Sequence, residues 1–185
     1  MSSLNYEQVI QDILYKPASF DAFELQRIFF KSLDKTIDYA DLYLQNSISE
    51  SWVLEDSQVK RGSFSINRGT GIRLIKGEKT GFAYCDDIAI QPIQQAIQAA
   101  KSISNFGQRF PTSPLKTQQN QTLYAPINPI LSLDAKDKVD FLYDLDTYVR
   151  ALDSRVKKVS ASISAEFDVI GILNNQGLII GDVRP

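Results

Sequence analysis

The spacing of apolar and polar residues changes several times along this chain, and each change predicts an element. Residues 4–15 place Val9, Ile10, Ile13 and Leu14 on one side of a short helix. The Lys16-Pro17 step ends it, because a residue before proline avoids the α region. Asp21 then caps a second helix reaching about residue 35, with Phe23, Leu25, Ile28, Phe29 and Leu33 at helical spacing. From Asp38 the period falls to two, as Leu42 and Leu44 alternate with Asp41, Tyr43 and Gln45.

Residues 50–87 read as an antiparallel meander of short strands rich in aromatic and β-branched side chains. Turns are expected at Asp56-Ser57, at Asn67-Arg68-Gly69 and at Lys76-Gly77-Glu78. Asn67, Gly69 and Gly77 suit the positive φ that tight hairpins require. Gln91-Pro92 opens a helix to about residue 104, its stripe formed by Ile93, Ala96, Ile97, Ala100 and Ile103. Residues 106–131, with Pro111, Pro114, Pro126 and Pro129, read as a long irregular connection.

Ser132 caps a helix over about 134–153, with Val139, Leu142, Leu145, Val149 and Leu152 facing inward. A strand follows in which Val159, Ala161, Ile163, Ala165 and Phe167 alternate with three serines and Glu166. Asn174 to Gly177 then turns a closing hairpin. Helix, strand and hairpin thus occur at 21–66 and again at 134–183, the pattern of a duplicated helix-plus-hairpin unit. The chain stops just after a strand, at Arg184-Pro185, so the sequence reads as truncated. The expected fold is α+β: a mostly antiparallel, twisted sheet with helices packed on one face.

Composition narrows the chemistry. Of the 185 residues 43% are hydrophobic, enough for a real core, and the net charge of −2 gives no general attraction to nucleic acid or anionic membranes. No apolar run is long enough to span a bilayer, and residues 1–16 lack the basic start and apolar core of a secretory signal. The single cysteine, Cys85, excludes an internal disulfide framework, and a cytoplasmic location is the expectation. There is no histidine. A His-ligated zinc site, a Ser-His-Asp triad and a Cys-His pair therefore cannot form within the chain. Without an imidazole partner Cys85 reads as a small buried hydrophobe rather than a nucleophile.

The remaining candidates each have a plainer reading beside the functional one. The pairs Glu55-Asp56 and Asp86-Asp87 have the chemistry to bind a hard cation, yet acids at turns serve solubility equally well. Trp52 offers a surface for a peptide or partner, or a place in the core. The glycine-rich strand 70–75 is a candidate edge for pairing with an extended peptide. Lys60-Arg61, Arg73, Lys76, Lys79 and Lys157-Lys158 make a basic strip only if the interleaved acids are ignored. Gly77-Glu78-Lys79-Thr80 lacks the spacing of a phosphate loop.

Several segments together carry a family resemblance: Tyr39-Ala40-Asp41-Leu42-Tyr43, Glu50-Ser51-Trp52-Val53-Leu54-Glu55-Asp56, Gly71-Ile72-Arg73, Gly77-Glu78-Lys79-Thr80-Gly81-Phe82-Ala83-Tyr84, and the closing Asp182-Val183-Arg184-Pro185. They resemble the N-terminal domain of the TldD branch of the TldD/TldE (PmbA) family, also labelled modulator of DNA gyrase. The resemblance implies a zinc metallopeptidase that works as a TldD–TldE heterodimer on unfolded or modified peptides, in peptide-antibiotic maturation and antitoxin turnover. Its HExxxH zinc motif lies in the second half of the family's proteins. This chain has no histidine, so no catalytic or metal-binding residue carries over, and no activity is expected of it alone.

On this reading residues 1–185 form one N-terminal domain: helices with a central meander at about 38–87, the proline-rich connection, and a second helix-plus-hairpin unit over 132–185. Trp52, Arg73 and Tyr84 are the candidate contacts for peptide or partner, and zinc is expected only in the full-length protein. The expected partner is a TldE/PmbA-like protein or a second copy. The competing reading is a stand-alone interaction module without chemistry. Direct binding of DNA or gyrase ranks last.

Overall fold

The computed structural model describes residues 6–33, 35–104 and 123–185. Expectations at Leu4 and for residues 106–122, and the side chain of Ile103, lie outside the described residues. Helix α1 (Tyr6–Ile10) runs into a π-helical turn (Gln11–Tyr15) and a 3₁₀ turn (Lys16–Ala18) containing Pro17. Helix α2 (Ala22–Ser32) follows, then strands β1 (Tyr39–Glu55), β2 (Gln58–Lys76) and β3 (Lys79–Cys85). Helices α3 (Ile90–Ser104) and α4 (Ala135–Leu152) precede β4 (Ser160–Asn174) and β5 (Ile179–Arg184). The strands form one five-stranded antiparallel sheet in the order β3-β2-β1-β4-β5, which with four helices makes the α+β fold expected.

The described chain divides into two compact units. The first takes residues from Met1–Asn46, Asn67–Pro126 and Asp168–Val183. The second takes Ser47–Ile66, Ile127–Phe167 and Arg184–Pro185. In the first, Ala40, Leu42 and Leu44 of β1, Ile72 and Leu74 of β2 and Val169 of β4 are buried. Phe29 of α2 and Ile93, Ala96, Ile97 and Ala100 of α3 are buried in the same unit. Asp21 caps α2 as expected, its carboxylate accepting from the Glu24 N–H at 2.7 Å. Tyr6 ties the first helix to the last strand: its hydroxyl donates to Asp182 Oδ1 at 2.5 Å and accepts from the Val183 N–H at 2.6 Å.

Several expectations need correction. The meander is not built of short strands: β1 and β2 run seventeen and nineteen residues. Asn67-Arg68-Gly69 is no turn, because β2 passes straight through it. Gly69 is there for space, since a Cβ would lie 2.8 Å from the Cys85 carbonyl oxygen. The true turns are Asp56-Ser57, with φ of 48° and 61°, and Gly77-Glu78, with φ of 59° at Gly77. Of the apolar residues at helical spacing in α2, Leu25 and Phe29 are buried and Phe23 is exposed. Asp134 rather than Ser132 occupies the cap of α4; the Ser132 hydroxyl donates to the Pro129 carbonyl. Finally, α3 begins at Ile90, which puts Pro92 inside the first turn, where its missing N–H costs nothing.

One tight joint of the first unit is between α3 and β3. A Cβ on Gly81 would fall far inside van der Waals contact with the Ala100 carbonyl oxygen, a backbone atom that cannot step aside. At Gly71 the nearest atom to an added Cβ is Phe82 Cζ, 3.6 Å away. Gly81→Ala is therefore expected to lose about 1–3 kcal/mol in a urea titration. Gly71→Ala should lose much less.

Candidate functional site

Arg73 and Tyr84 share one surface of the first unit because of strand register. Gly71 pairs with Tyr84 and Arg73 with Phe82, so all four project from the same side of the sheet. The opposite side carries the buried residues Ile72 and Leu74. Tyr43 of β1 joins this surface, its Cβ lying 4.0 Å from where a Gly71 Cβ would stand. The Phe82 ring covers the bare backbone of Gly71.

Arg73 is held from two directions. Its Nε donates to Asp41 Oδ2 at 3.1 Å, Nη2 completes the ion pair, and the guanidinium lies 5.6 Å from the centre of the Tyr39 ring. The Asp41 hydrogen bond raises the Arg73 pKa further above its ordinary value, so the cation is permanent. Tyr84 is 73% and Phe82 58% exposed. The result is an aromatic surface with one fixed cation, able to stack on planar or apolar groups and to bind a carboxylate beside them.

Trp52 is in the second unit and has a different setting. Its ring lies across Gly62, where an added Cβ would sit 2.6 Å from Cζ3. Its indole N–H donates to Glu50 Oε1 at 2.9 Å. Glu50 is ion-paired with Lys138 of α4, and the Lys138 ammonium also donates to the Ile130 carbonyl at 2.7 Å. Burial pushes the Glu50 carboxyl up, but the bonds from Lys138 and Trp52 outweigh it and hold the group below the usual carboxylate range.

A second charged lock joins α4 to the β1–β2 hairpin. Ser57 Oγ donates to Asp146 Oδ2 at 2.6 Å, and Arg150 Nε donates to both Asp146 oxygens at 3.0 and 3.1 Å. The Ser57 hydrogen bond, helped by Arg150 against the cost of burial, lowers the Asp146 pKa. The buried line of α4 is thus Lys138, Leu142 and Asp146. Of the expected apolar stripe only Leu142 is fully buried, and Leu152 is exposed. Sequence reading missed this line because it scored charge as outward. The signal was a Lys and an Asp at i and i+8 around a leucine, opposite Glu50 in a serine-rich strand.

The other expected sites separate. Strand 70–75 has no free edge, because β3 pairs with Thr70–Lys76 and β1 flanks the other side. Asp56 lies 3.8 Å from Arg150 Nη2, and Asp87 lies 3.0 Å from Arg68 Nη2. Among the described residues no group of three or more His, Cys, Asp or Glu stands together as metal ligands. With no histidine in the chain, these residues do not fit the zinc centre that the resemblance implies. Cys85 is half-buried, its Sγ 3.4 Å from the Asp87 carbonyl oxygen. No described helix is long and apolar enough to cross a membrane.

Residues 40–104 match the family model described as PmbA/TldA metallopeptidase domain 1, and residues 128–185 match that of the PmbA/TldA metallopeptidase central domain. A metalloprotease TldD homolog of Haemophilus influenzae is 42% identical over 178 residues, covering 95% of this chain and 37% of that protein. A homolog of the same name from Buchnera aphidicola is 36% identical over 149 residues, or 80% of this chain and 31% of the relative. The chain therefore spans about a third of the length of these relatives. Among solved structures, TldE from Thermococcus kodakarensis aligns with a TM-score of 0.65 at 20% identity, over 87% of this chain and 36% of that one. A putative modulator of DNA gyrase from Thermotoga maritima aligns at 0.69 and 17%, over 88% and 37%. At these identities the two structures establish the shared fold.

Two outcomes test the charged locks. Lys138→Met strands the Glu50 carboxylate and is expected to cost about 1–3 kcal/mol in denaturant titration; the double variant with Glu50→Met should recover most of it. The second concerns pH. Glu50 and Asp146 have folded pKa values below their ordinary ones, so each stabilises the fold while ionised. That contribution is complete above about pH 5 and is lost as pH falls through the folded values. Melting temperature should therefore drop on acidification below that point, with a shallower slope in Asp146→Asn.

Proposed function

The chain belongs to the PmbA/TldD metallopeptidase family, and from that premise we propose that it is the non-catalytic N-terminal part of a TldD-like zinc enzyme that degrades unfolded or modified peptides. The observation that carries the proposal is the ordered match to the family's first and central domains, at 42% identity to a metalloprotease relative over 95% of the chain. A histidine-free sequence cannot supply an imidazole-ligated zinc, so the hydrolytic centre belongs to other residues of a full-length protein. This part contributes to the dimer and to the wall of a substrate chamber, in the cytoplasm.

The surface around Arg73 and Tyr84 supports a contact role. A permanently charged guanidinium, oriented by Asp41 and Tyr39, stands among aromatic rings of which Phe82 and Tyr84 are exposed. Arg and Tyr so placed are the residue types that anchor protein interfaces. The partner is a TldE/PmbA-like protein or a second copy; Trp52 contributes by bracing the hairpin in its own unit. The same exposed surface favours a second reading, a stand-alone module that binds a TldE-like partner and has no enzymatic role.

A peptidase assay of the 185-residue chain on an unfolded polypeptide, with and without zinc, should show no turnover that a chelator removes. Chelator-sensitive cleavage by this chain alone would defeat the proposal. Co-purification with a TldE-like protein, weakened at least tenfold by Arg73→Ala with Tyr84→Ala, is the expected signature of the contact surface. A chain that stays monomeric and partner-free would count against it.

A further inference from the structure

Strand β2 is far longer than its outer neighbour. β3 pairs only with Thr70–Lys76, and the sheet order puts β2 between β3 and β1. Residues 58–66 therefore have β1 on one side and, among the described residues, no strand on the other. In an antiparallel strand alternate residues turn both N–H and C=O to each side, so about four or five residues here offer unpaired backbone outward.

This edge is held straight from behind. The Ser49 and Ser65 hydroxyls meet at 2.8 Å, as do those of Ser51 and Ser63, which locks its register against β1. The Trp52 ring braces Gly62, and the Ser57–Asp146 bond fastens the turn. A pre-ordered edge loses little entropy on receiving another strand.

The side chains along it carry one sign of charge. Lys60 and Arg61 are exposed, and no acidic residue occurs between 58 and 66. The Lys60 ammonium donates to the neutral amide oxygen of Gln58. Phe64 and Ile66 are 60% and 56% exposed. We propose that the outer edge of residues 58–66 is a docking strand for an extended, acidic segment of a partner protein. The segment adds to the sheet by backbone pairing, sets its carboxylates on the face of Arg61 and lays its apolar side chains on the opposite face against Phe64 and Ile66, where Lys60 adds to the positive field of the edge. A second copy of this edge is the poorer occupant, because it would bring four cations into one ribbon without an acid. The proposal does not rest on the peptidase reading and holds for either role of the chain.

The test uses the 185-residue chain and two capped synthetic peptides, one alternating glutamate with valine and one alternating lysine with valine. The acidic peptide should bind at least tenfold more tightly, weaken with added salt, and protect the amides of residues 58–66 from hydrogen exchange. N-methylation of its alternate backbone nitrogens should abolish binding. Lys60→Glu with Arg61→Glu, both at exposed positions, should reverse the preference toward the lysine peptide. Equal binding of both peptides, undiminished binding of the N-methylated one, or no binding at all would overturn the proposal. Self-association that tightens in the double variant would overturn it in favour of a second copy.

Discussion

The pairing of β1 with β2 is the constraint on which the other contacts depend. Side chains on a strand alternate with a period of two, so one register decides which residues each unit buries. In the first unit it turns Ala40, Leu42, Leu44, Ile72 and Leu74 to the core and Tyr43 and Arg73 to solvent. In the second it turns Glu50, Trp52 and Leu54 to one face and the serines to the other. A slip of one residue would expose three leucines and drive Asp41, Tyr43 and Gln45 inward. The two-residue turn Asp56-Ser57 sets that register, and its left-handed backbone requires the support it receives from α4.

Charge does the fastening that apolar burial does elsewhere. Helix α4 has one fully buried leucine, Leu142, and on either side of it a buried Lys and a buried Asp. Each finds its complement on the β1–β2 hairpin: Glu50 for Lys138, Ser57 for Asp146. Such pairs contribute modest net stability but a single permitted geometry, since the alternative is an unpaired ion out of water. The second unit thereby fixes where its helix sits with a small apolar core.

Much of the first unit was legible in the sequence. The stripe Ile93, Ala96, Ile97, Ala100 and the alternation at Leu42 and Leu44 have one physical solution each, and the structure adopts it. Asp21 announced itself as a cap. Asn67-Arg68-Gly69 misled because glycine has two uses: a turn needs its positive φ, whereas here the carbonyl of Cys85 needs its missing side chain. Only pairing across strands distinguishes them. The contact surface was half legible. Arg73 and Tyr84 stood out one at a time, but their meeting with Phe82 follows from the β2–β3 register and that with Tyr39 and Tyr43 from the pairing of β2 with β1, neither of which is encoded in any one segment. The inward Lys138 and Asp146 were hidden because their partners lie 88 and 89 positions away.

The hydroxyl of Tyr6 accepts from Val183 and donates to Asp182, residues 177 and 176 positions along the chain. Helix α1 and strand β5 are thus tied through one phenol. Removing the first helix takes a hydrogen-bond partner from the last strand, and shortening the last strand takes both of these partners from Tyr6. The opening of α1 and the opening of β5 are thereby coupled through this one hydroxyl.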